Sequence, residues 1–389
     1  MPSSGDMIYL KALGQGILVL GSRRRAVDLL DKRATIYSDR PVQPMIAMLT
    51  SSSPPRYVEG LPDHKISLFG TAIMRTAYGF DDIRQNESLI HNAEKLILEL
   101  FEAATPGRYL VDYFPILQYV PSWLPGAGFK KRFNDMAHLN FKIRFPPFEE
   151  AKCDMEDGRK GNHPSMAHSL IERLPEESDP NRKDMEEIAR NVCAVAYIAG
   201  AETTVSSATA LVYVLASYPE VQTRAQAEID KVVGSDRLPV VSDREELPYV
   251  HAIVKEVSRW HSVIPLGVAH ANTEDDEYDG YFIPKGTFIF QNNWAIMHDP
   301  DIFDRPFEFI PERYIKDGKI DLSLPDPDIA AFGHGRRICP GRHFSNDALF
   351  LLAASLLATY NIAAPKDKEG NLVPMKLEPK NPFASARFV

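Results

Sequence analysis

The densest chemical signal in the chain is a ten-residue run, Phe332-Gly333-His334-Gly335-Arg336-Arg337-Ile338-Cys339-Pro340-Gly341. It is a glycine-rich loop that delivers a cysteine to the start of a helix. Unpaired amides at a helix N-terminus, with arginines close by, favour a thiolate over a thiol, and the thiolate is the form that binds iron. Gly335 and Gly341 would let the backbone approach a flat ligand with no side chain between. A lone cysteine is usually a small buried hydrophobe, so the loop is what sets Cys339 apart.

Two further clusters carry polar residues where their types invite chemistry. Ala199-Gly200-Ala201-Glu202-Thr203-Thr204 lies inside a proline-free stretch from Glu187 to Tyr218. A mid-helix glycine costs about 1 kcal/mol relative to alanine, so Gly200 needs a packing or ligand reason. Glu202 and Thr203 are a carboxylate and a hydroxyl in series, the pairing that relays protons. A threonine hydroxyl can also bond back to the preceding turn and open the helix for water and dioxygen. On the residues alone, a small-residue patch at a helix crossing is the preferred reading. The other cluster is Glu256 and Arg259, three apart, with Pro311-Glu312-Arg313-Tyr314 downstream. Counting about 100° per residue puts Val250, Ile253, Val254 and Val257 on one stripe and Arg259 opposite, which assigns the pair to a solvated surface.

The elements that must position these residues follow from periodicity. Ile8 and Leu10, then Gly14 and Gly16, then Ile17 to Leu20 read as a β-hairpin, and Ser22 can cap a helix carrying Val27, Leu29 and Leu30. From Ile66 to about Val250 apolar residues recur three and four apart, broken by prolines, so the middle is α-rich. The Glu187–Tyr218 stretch is apolar on most sides and should cross the core. After a helix from Pro248 to His261, Tyr281–Ile283, Pro284-Lys285-Gly286 and Thr287–Phe290 read as a second hairpin. Pro300 to Pro340 reads as a long ordered loop, and Phe344 to Tyr360 as apolar helix.

Composition excludes several classes. A net charge of -9 and a pI near 5.7 leave no basic surplus for phosphate, so no nucleic-acid partner is expected. The runs Arg23 to Arg25 and Glu274 to Glu277 read as solvated turns. Cys153, Cys193 and Cys339 are an odd number without Cys-x-x-Cys spacing, which argues against a disulfide framework and leaves the first two as structural residues. The first twenty residues offer neither a signal peptide nor a spanning helix.

The cysteine loop resembles that of the cytochromes P450, Phe-x-x-Gly-x-Arg-x-Cys-x-Gly. Phe332, Gly335, Arg337, Cys339 and Gly341 stand at every fixed position. The resemblance implies a mainly α fold with a small β-rich sector, and haem b held by Cys339, whose thiolate favours O–O cleavage. It implies that Arg337 pairs with a haem propionate, and that His270, ahead of the second hairpin, faces a propionate too. The helix motif matches [Ala/Gly]-Gly-x-[Asp/Glu]-Thr, which implies that Gly200 borders the cofactor and that Glu202 and Thr203 deliver protons. Glu256, Arg259 and Arg313 resemble the family's structural triad, with a role in folding and haem retention.

The implied function is a haem-thiolate monooxygenase that takes electrons from a separate NADPH-dependent reductase and inserts one atom of dioxygen into an apolar small molecule. Wording around Thr273–Tyr278 and Gly280–Gly286 resembles fungal members of secondary metabolism. The family usually resides at the endoplasmic reticulum membrane, and without a spanning segment this chain is expected to be cytoplasmic or peripheral. The resemblance reads as one domain over 1–389 with an internal deletion near 49–56. The family's Trp-x-x-x-Arg contact is missing: none of Trp123, Trp260 and Trp294 has an arginine four residues on. The rival reading is therefore a remnant that binds haem weakly or not at all and catalyses nothing.

Overall fold

The computed structural model describes residues 5–41, 68–80, 83–103, 108–158, 163–381 and 384–388. The chain divides into two compact units, 1–41 with 206–389 and 42–205. The deletion expected near 49–56 lies outside the described residues.

The first unit is built on a four-stranded sheet. Strands β1 (Met7–Ala12) and β2 (Gln15–Leu20) form the expected hairpin over Leu13 and Gly14, both at positive φ. Later segments add β3 (His270–Ala271), β4 (Asp276–Tyr278), β5 (Tyr281–Ile283) and β6 (Phe288–Gln291). The sheet order is β1-β2-β6-β3, with β6 parallel to β2. Leu18 and Leu20 lie two apart on β2 and so share one face. They pack with Leu29, Leu30, Tyr37, Tyr278, Ile283 and Ile289. Ser22 accepts from the Arg25 amide at 3.3 Å, the cap that its position suggests.

Two expectations fail here. The segments 281–283 and 287–290 are not a hairpin: β5 pairs with β4, and β6 joins the other sheet. The two-residue turn is Asp279-Gly280, with φ of 56° and 78°, a stronger hairpin signal than Pro284-Lys285-Gly286 because both central residues accept positive φ. The Arg23–Arg25 run is not wholly solvated either. Arg25 is buried and pairs with Asp6 at 3.1 Å and Asp279 at 2.5 Å, tying β1 to the β4–β5 turn.

The second unit is helical, with helices Leu68–Tyr78, Ile83–Ala103, Gly128–Arg144 and Pro146–Glu156. The long helix runs from Arg182 to Ser217, and its first 24 residues belong to this unit. Cys193, Ala194, Tyr197 and Ala201 are buried at helical spacing, whereas Ile188, Val192 and Val195 are exposed, so this part of the helix is sheathed on one side rather than all round. Among the described residues it is the one helix long and apolar enough to cross a membrane by length and composition, and half of its most apolar window is buried in the protein.

The firmest polar cluster of the first unit is centred on Arg259 of helix Pro248–Trp260. Periodicity turned Arg259 outward, yet Arg259 and Glu256 are both 0% exposed. Arg259 donates through Nε and Nη2 to Glu256 at 2.7 and 2.8 Å, and to the carbonyls of Met297, Pro306 and Glu308. Those contacts use all five guanidinium N–H groups. Arg313 Nε and the Ile310 amide reach the same Glu256 oxygen at 3.1 and 2.8 Å. Segment 297–313 folds over the polar face of the helix and covers it, which single-helix periodicity does not register.

Removing one partner of a buried ion pair leaves an uncompensated charge, so Arg259→Ala should lower unfolding stability by about 3–5 kcal/mol. Lys32→Ala removes an ion pair whose lysine is 69% exposed and should leave stability unchanged within error. Urea denaturation followed by tryptophan fluorescence measures both.

Candidate functional site

The cysteine loop lies between a short helix, Asp328–Ala331, and helix Arg342–Thr359. Its base is clamped by Asn346 Nδ2 donating to Asp328 Oδ2 at 2.5 Å, and its neck by the Cys339 amide donating to the Phe332 carbonyl at 2.8 Å. Helix Pro248–Trp260 braces the approach, through Lys255 to Asp326 at 2.7 Å. The anchored helix therefore reaches to within two residues of the loop's clamp.

Glycines shape the loop for two different reasons. Gly335 has φ +57°, and a Cβ there would come 2.3 Å from the Leu30 carbonyl oxygen. Its need for glycine is thus close packing on the Val27–Lys32 segment, where the sequence suggested approach to a flat ligand. A Cβ on Gly341 would lie 3.7 Å from Cys339 Sγ, in ordinary van der Waals contact, so the glycine leaves that flank of the sulfur without a side chain. The helix starts at Arg342, so Cys339 stands just ahead of its first turn, whose early amides have no acceptor within the helix. Cys193, by contrast, is buried and its thiol is pushed up to about 11 by burial, as befits a structural residue. Cys153 is exposed and has no core role.

A cationic corner lies beside the loop. Arg337 Nε donates to the Ser38 carbonyl at 2.9 Å. His270 Nδ1 lies 2.8 Å from the Tyr37 carbonyl, so that nitrogen carries the proton. Burial, then Arg40, hold His270 down to about 4, and Arg337 adds to this. Arg337 and His270, far apart in sequence, thus meet at residues 37–40. Sequence reasoning missed Arg40 and Ser38 there. Arg40 Nη1 donates to the Val268 and Ala269 carbonyls at 2.9 and 2.7 Å, while the Ser38 hydroxyl is buried and has no hydrogen-bond partner among the described residues. Only the extended wording Ser38-Asp39-Arg40-Pro41 marked the place.

Haem fits this arrangement. Cys339 carries a free thiol with no side chain on Gly341 beside it, and Arg337, two residues before it, reaches the Ser38 carbonyl. Cys339 would hold the iron, and Arg337 and His270 would face the propionates.

The second motif belongs to the other unit. A Cβ on Gly200 would come 2.9 Å from Ile73 Cγ1, so this glycine serves the crossing with helix Leu68–Tyr78, the plainer reading of the motif. Thr203 Oγ1 donates to the Ala199 carbonyl at 2.8 Å, the expected back-bond. The helix stays continuous through it. Glu202 is buried. One turn further on, within the first unit, Ser206 Oγ lies 2.9 Å from His261 Nε2, a buried pair that no motif announced.

His251, His261 and His270 are each held down to about 4, chiefly by burial. They are neutral in the native state and bind protons on unfolding below about 6.5. Their contribution to stability is therefore complete above that pH and lost as pH falls toward 4, so the denaturation midpoint should drop across that window. Gly335→Ala combines positive φ with the Leu30 clash, and should displace the loop and raise its proteolytic cleavage rate severalfold.

The chain matches the cytochrome P450 family model over residues 67–383. It is 47% identical to cytochrome P450 monooxygenase COX1 of Coprinopsis cinerea, across 98% of this chain and 83% of that protein. It is 41% identical to COX2 of the same fungus, over 96% and 79%, and 34% identical to claR of Ampulloclitocybe clavipes, over 98% and 77%. The COX1 alignment spans 429 residues, longer than this chain, so that relative carries residues inside the aligned span that this chain lacks. With the cysteine loop, its anchor and these relatives in hand, the chain belongs to the cytochrome P450 family, whose cofactor is haem.

Proposed function

We propose that this chain acts as a haem-thiolate monooxygenase in which Cys339 is the iron ligand, Arg337 and His270 engage the haem propionates, and Glu202 with Thr203 supplies protons. The observation that carries the reading is the clamped cysteine loop. It presents one free sulfur, with Gly341 leaving space beside it, on a base braced by the buried Glu256–Arg259 pair. The overall change is RH + O₂ + NADPH + H⁺ giving ROH + H₂O + NADP⁺, with the electrons passing through a separate reductase. The substrate class is an apolar small molecule, and one domain over 1–389 carries the activity.

Haem, when bound, supplies the iron at which dioxygen is reduced. The protein's own contributions are positional. The Phe332 carbonyl takes the Cys339 amide and so fixes the residue's backbone, while the short Gly335–Arg337 turn carries Arg337 toward residue 38. Thr203 directs its hydroxyl proton to the Ala199 carbonyl, which leaves the oxygen lone pairs as the acceptor for an incoming proton. Consecutive side chains on a helix diverge by about 100°, so a proton passing from the Glu202 carboxyl to Thr203 Oγ1 would need a bridging water. We place the chain in the cytoplasm or peripherally at the endoplasmic reticulum membrane. The partial burial of the Arg182–Ser217 helix and its proton-delivery motif support an internal role for that helix.

One observation favours the remnant reading. The relatives' extra internal residues and the absent Trp-x-x-x-Arg together subtract part of what would enclose the cofactor. A carbon monoxide difference spectrum of the reduced protein separates the two. A strongly red-shifted Soret band, lost in Cys339→Ala, is expected; absence of haem, or an unshifted band indifferent to that substitution, would establish the remnant. In the active protein, Thr203→Ala and Glu202→Gln should each lower the rate of product formation about a hundredfold or more, the range of general acid–base effects.

A further inference from the structure

A cavity of about 310 Å³ opens on the first unit between helix Pro248–Trp260 and segment 320–329. Its volume lies in the range of small-molecule sites. Ile320, Leu324 and Ile329 supply apolar wall, and Tyr314, 1% exposed, is the most buried residue that lines it. The Tyr314 hydroxyl is buried and has no hydrogen-bond partner among the described residues. Burial, then Glu256, raise its pKa, so the group is a neutral O–H. A buried polar atom left unpaired in a native fold calls for an explanation. Arg23, exposed, lines the same cavity, and its guanidinium makes no hydrogen bond or ion pair among the described residues. Lys255, also on the wall, donates to Asp326 at 2.7 Å, which uses one of the three N–H groups of its ammonium.

The carboxylates on the wall are in a different condition. Asp326 accepts from Lys255 and from the Asp328 amide at 3.1 Å, and Asp321 accepts from the Ser323 amide at 2.8 Å. The wall groups that stand without partners are donors: the Tyr314 hydroxyl and the Arg23 guanidinium, with the further N–H groups of Lys255 beside them. One water takes about 30 Å³, which would satisfy the hydroxyl and leave Arg23 and most of the volume without a role. We propose that this cavity binds a small organic oxyanion, a carboxylate or a phosphate ester, whose charged oxygens accept from Tyr314, Lys255 and Arg23 while its body lies on Ile320, Leu324 and Ile329. Hydrogen bonds between a charged acceptor and such donors are the stronger kind, and a guanidinium fork suits a carboxylate or phosphate. The site is distinct from the cysteine loop and does not depend on the haem reading. Lys255 and Asp326 also brace the approach to that loop, so a guest held by Lys255 rests on the same support.

The test is isothermal titration calorimetry on the full-length protein as purified, with benzoate, phenyl phosphate and, as a neutral counterpart, benzyl alcohol. Tyr314→Phe and Arg23→Gln are titrated beside the parent. At least one of the two oxyanions should bind the parent about tenfold or more tightly than benzyl alcohol, and the tighter one assigns the head group. Each substitution should weaken that binding about tenfold, the loss of one hydrogen bond to a charged group. Neither substitution removes a side-chain hydrogen bond among the described residues, so both variants should keep the parent's fold. If neither oxyanion binds, the cavity holds water alone and the proposal is overturned. Binding that is as tight for benzyl alcohol, or that ignores either substitution, belongs to another place on the protein and overturns it equally. Each of those failures leaves the monooxygenase reading untouched, since its own test is the carbon monoxide spectrum.

Discussion

One carboxylate, Glu256, and one guanidinium, Arg259, are sealed from water three residues apart on a helix, and the architecture behind the cysteine loop is organised around their mutual neutralisation. A charge in that position is tolerable only when every donor and acceptor is satisfied. The structure meets that condition by bringing segment 297–313 over the pair, so that three carbonyls and a second arginine complete it. Desolvation makes the arrangement nearly all-or-none: a segment that strayed would strand a buried charge. The helix so fixed then steadies the approach to the cysteine loop through Lys255 and Asp326.

From that base the chemistry is built by subtraction of freedom. The loop of Cys339 is closed by one backbone bond at its neck and one side-chain bond at its base, and a glycine at positive φ lets it lie against the Leu30 carbonyl. What remains unconstrained is the sulfur. At residues 37–40 the carbonyls accept from His270 and Arg337, while the Ser38 hydroxyl has no hydrogen-bond partner among the described residues.

The long helix illustrates a different balance. Gly200 is explained by its contact with Ile73, and Thr203 by a bond to its own helix, so both have local reasons to exist. A motif can satisfy packing and chemistry at once. Family membership weighs toward the chemical role, while the local geometry is equally that of a helix crossing.

The sequence by itself determined whatever depends on near neighbours along the chain. It settled the Cys339 loop and the family it signals, the first hairpin with its turn near Gly14, the Ser22 cap, and the Thr203 back-bond, each governed by residues within four positions or by a motif of fixed spacing. The tertiary structure decided the rest, because its causes lie far away in sequence. Helical periodicity turned Arg259 toward solvent, and only the fold of segment 297–313 buries it. The partner of β6 is β2, some 270 residues earlier, which no turn signal could reveal. Gly335 answers to the Leu30 carbonyl, and Arg337 to Ser38 across 299 positions. Local propensity and spacing act over one or two turns, whereas burial, charge neutralisation and strand order are properties of the packed chain.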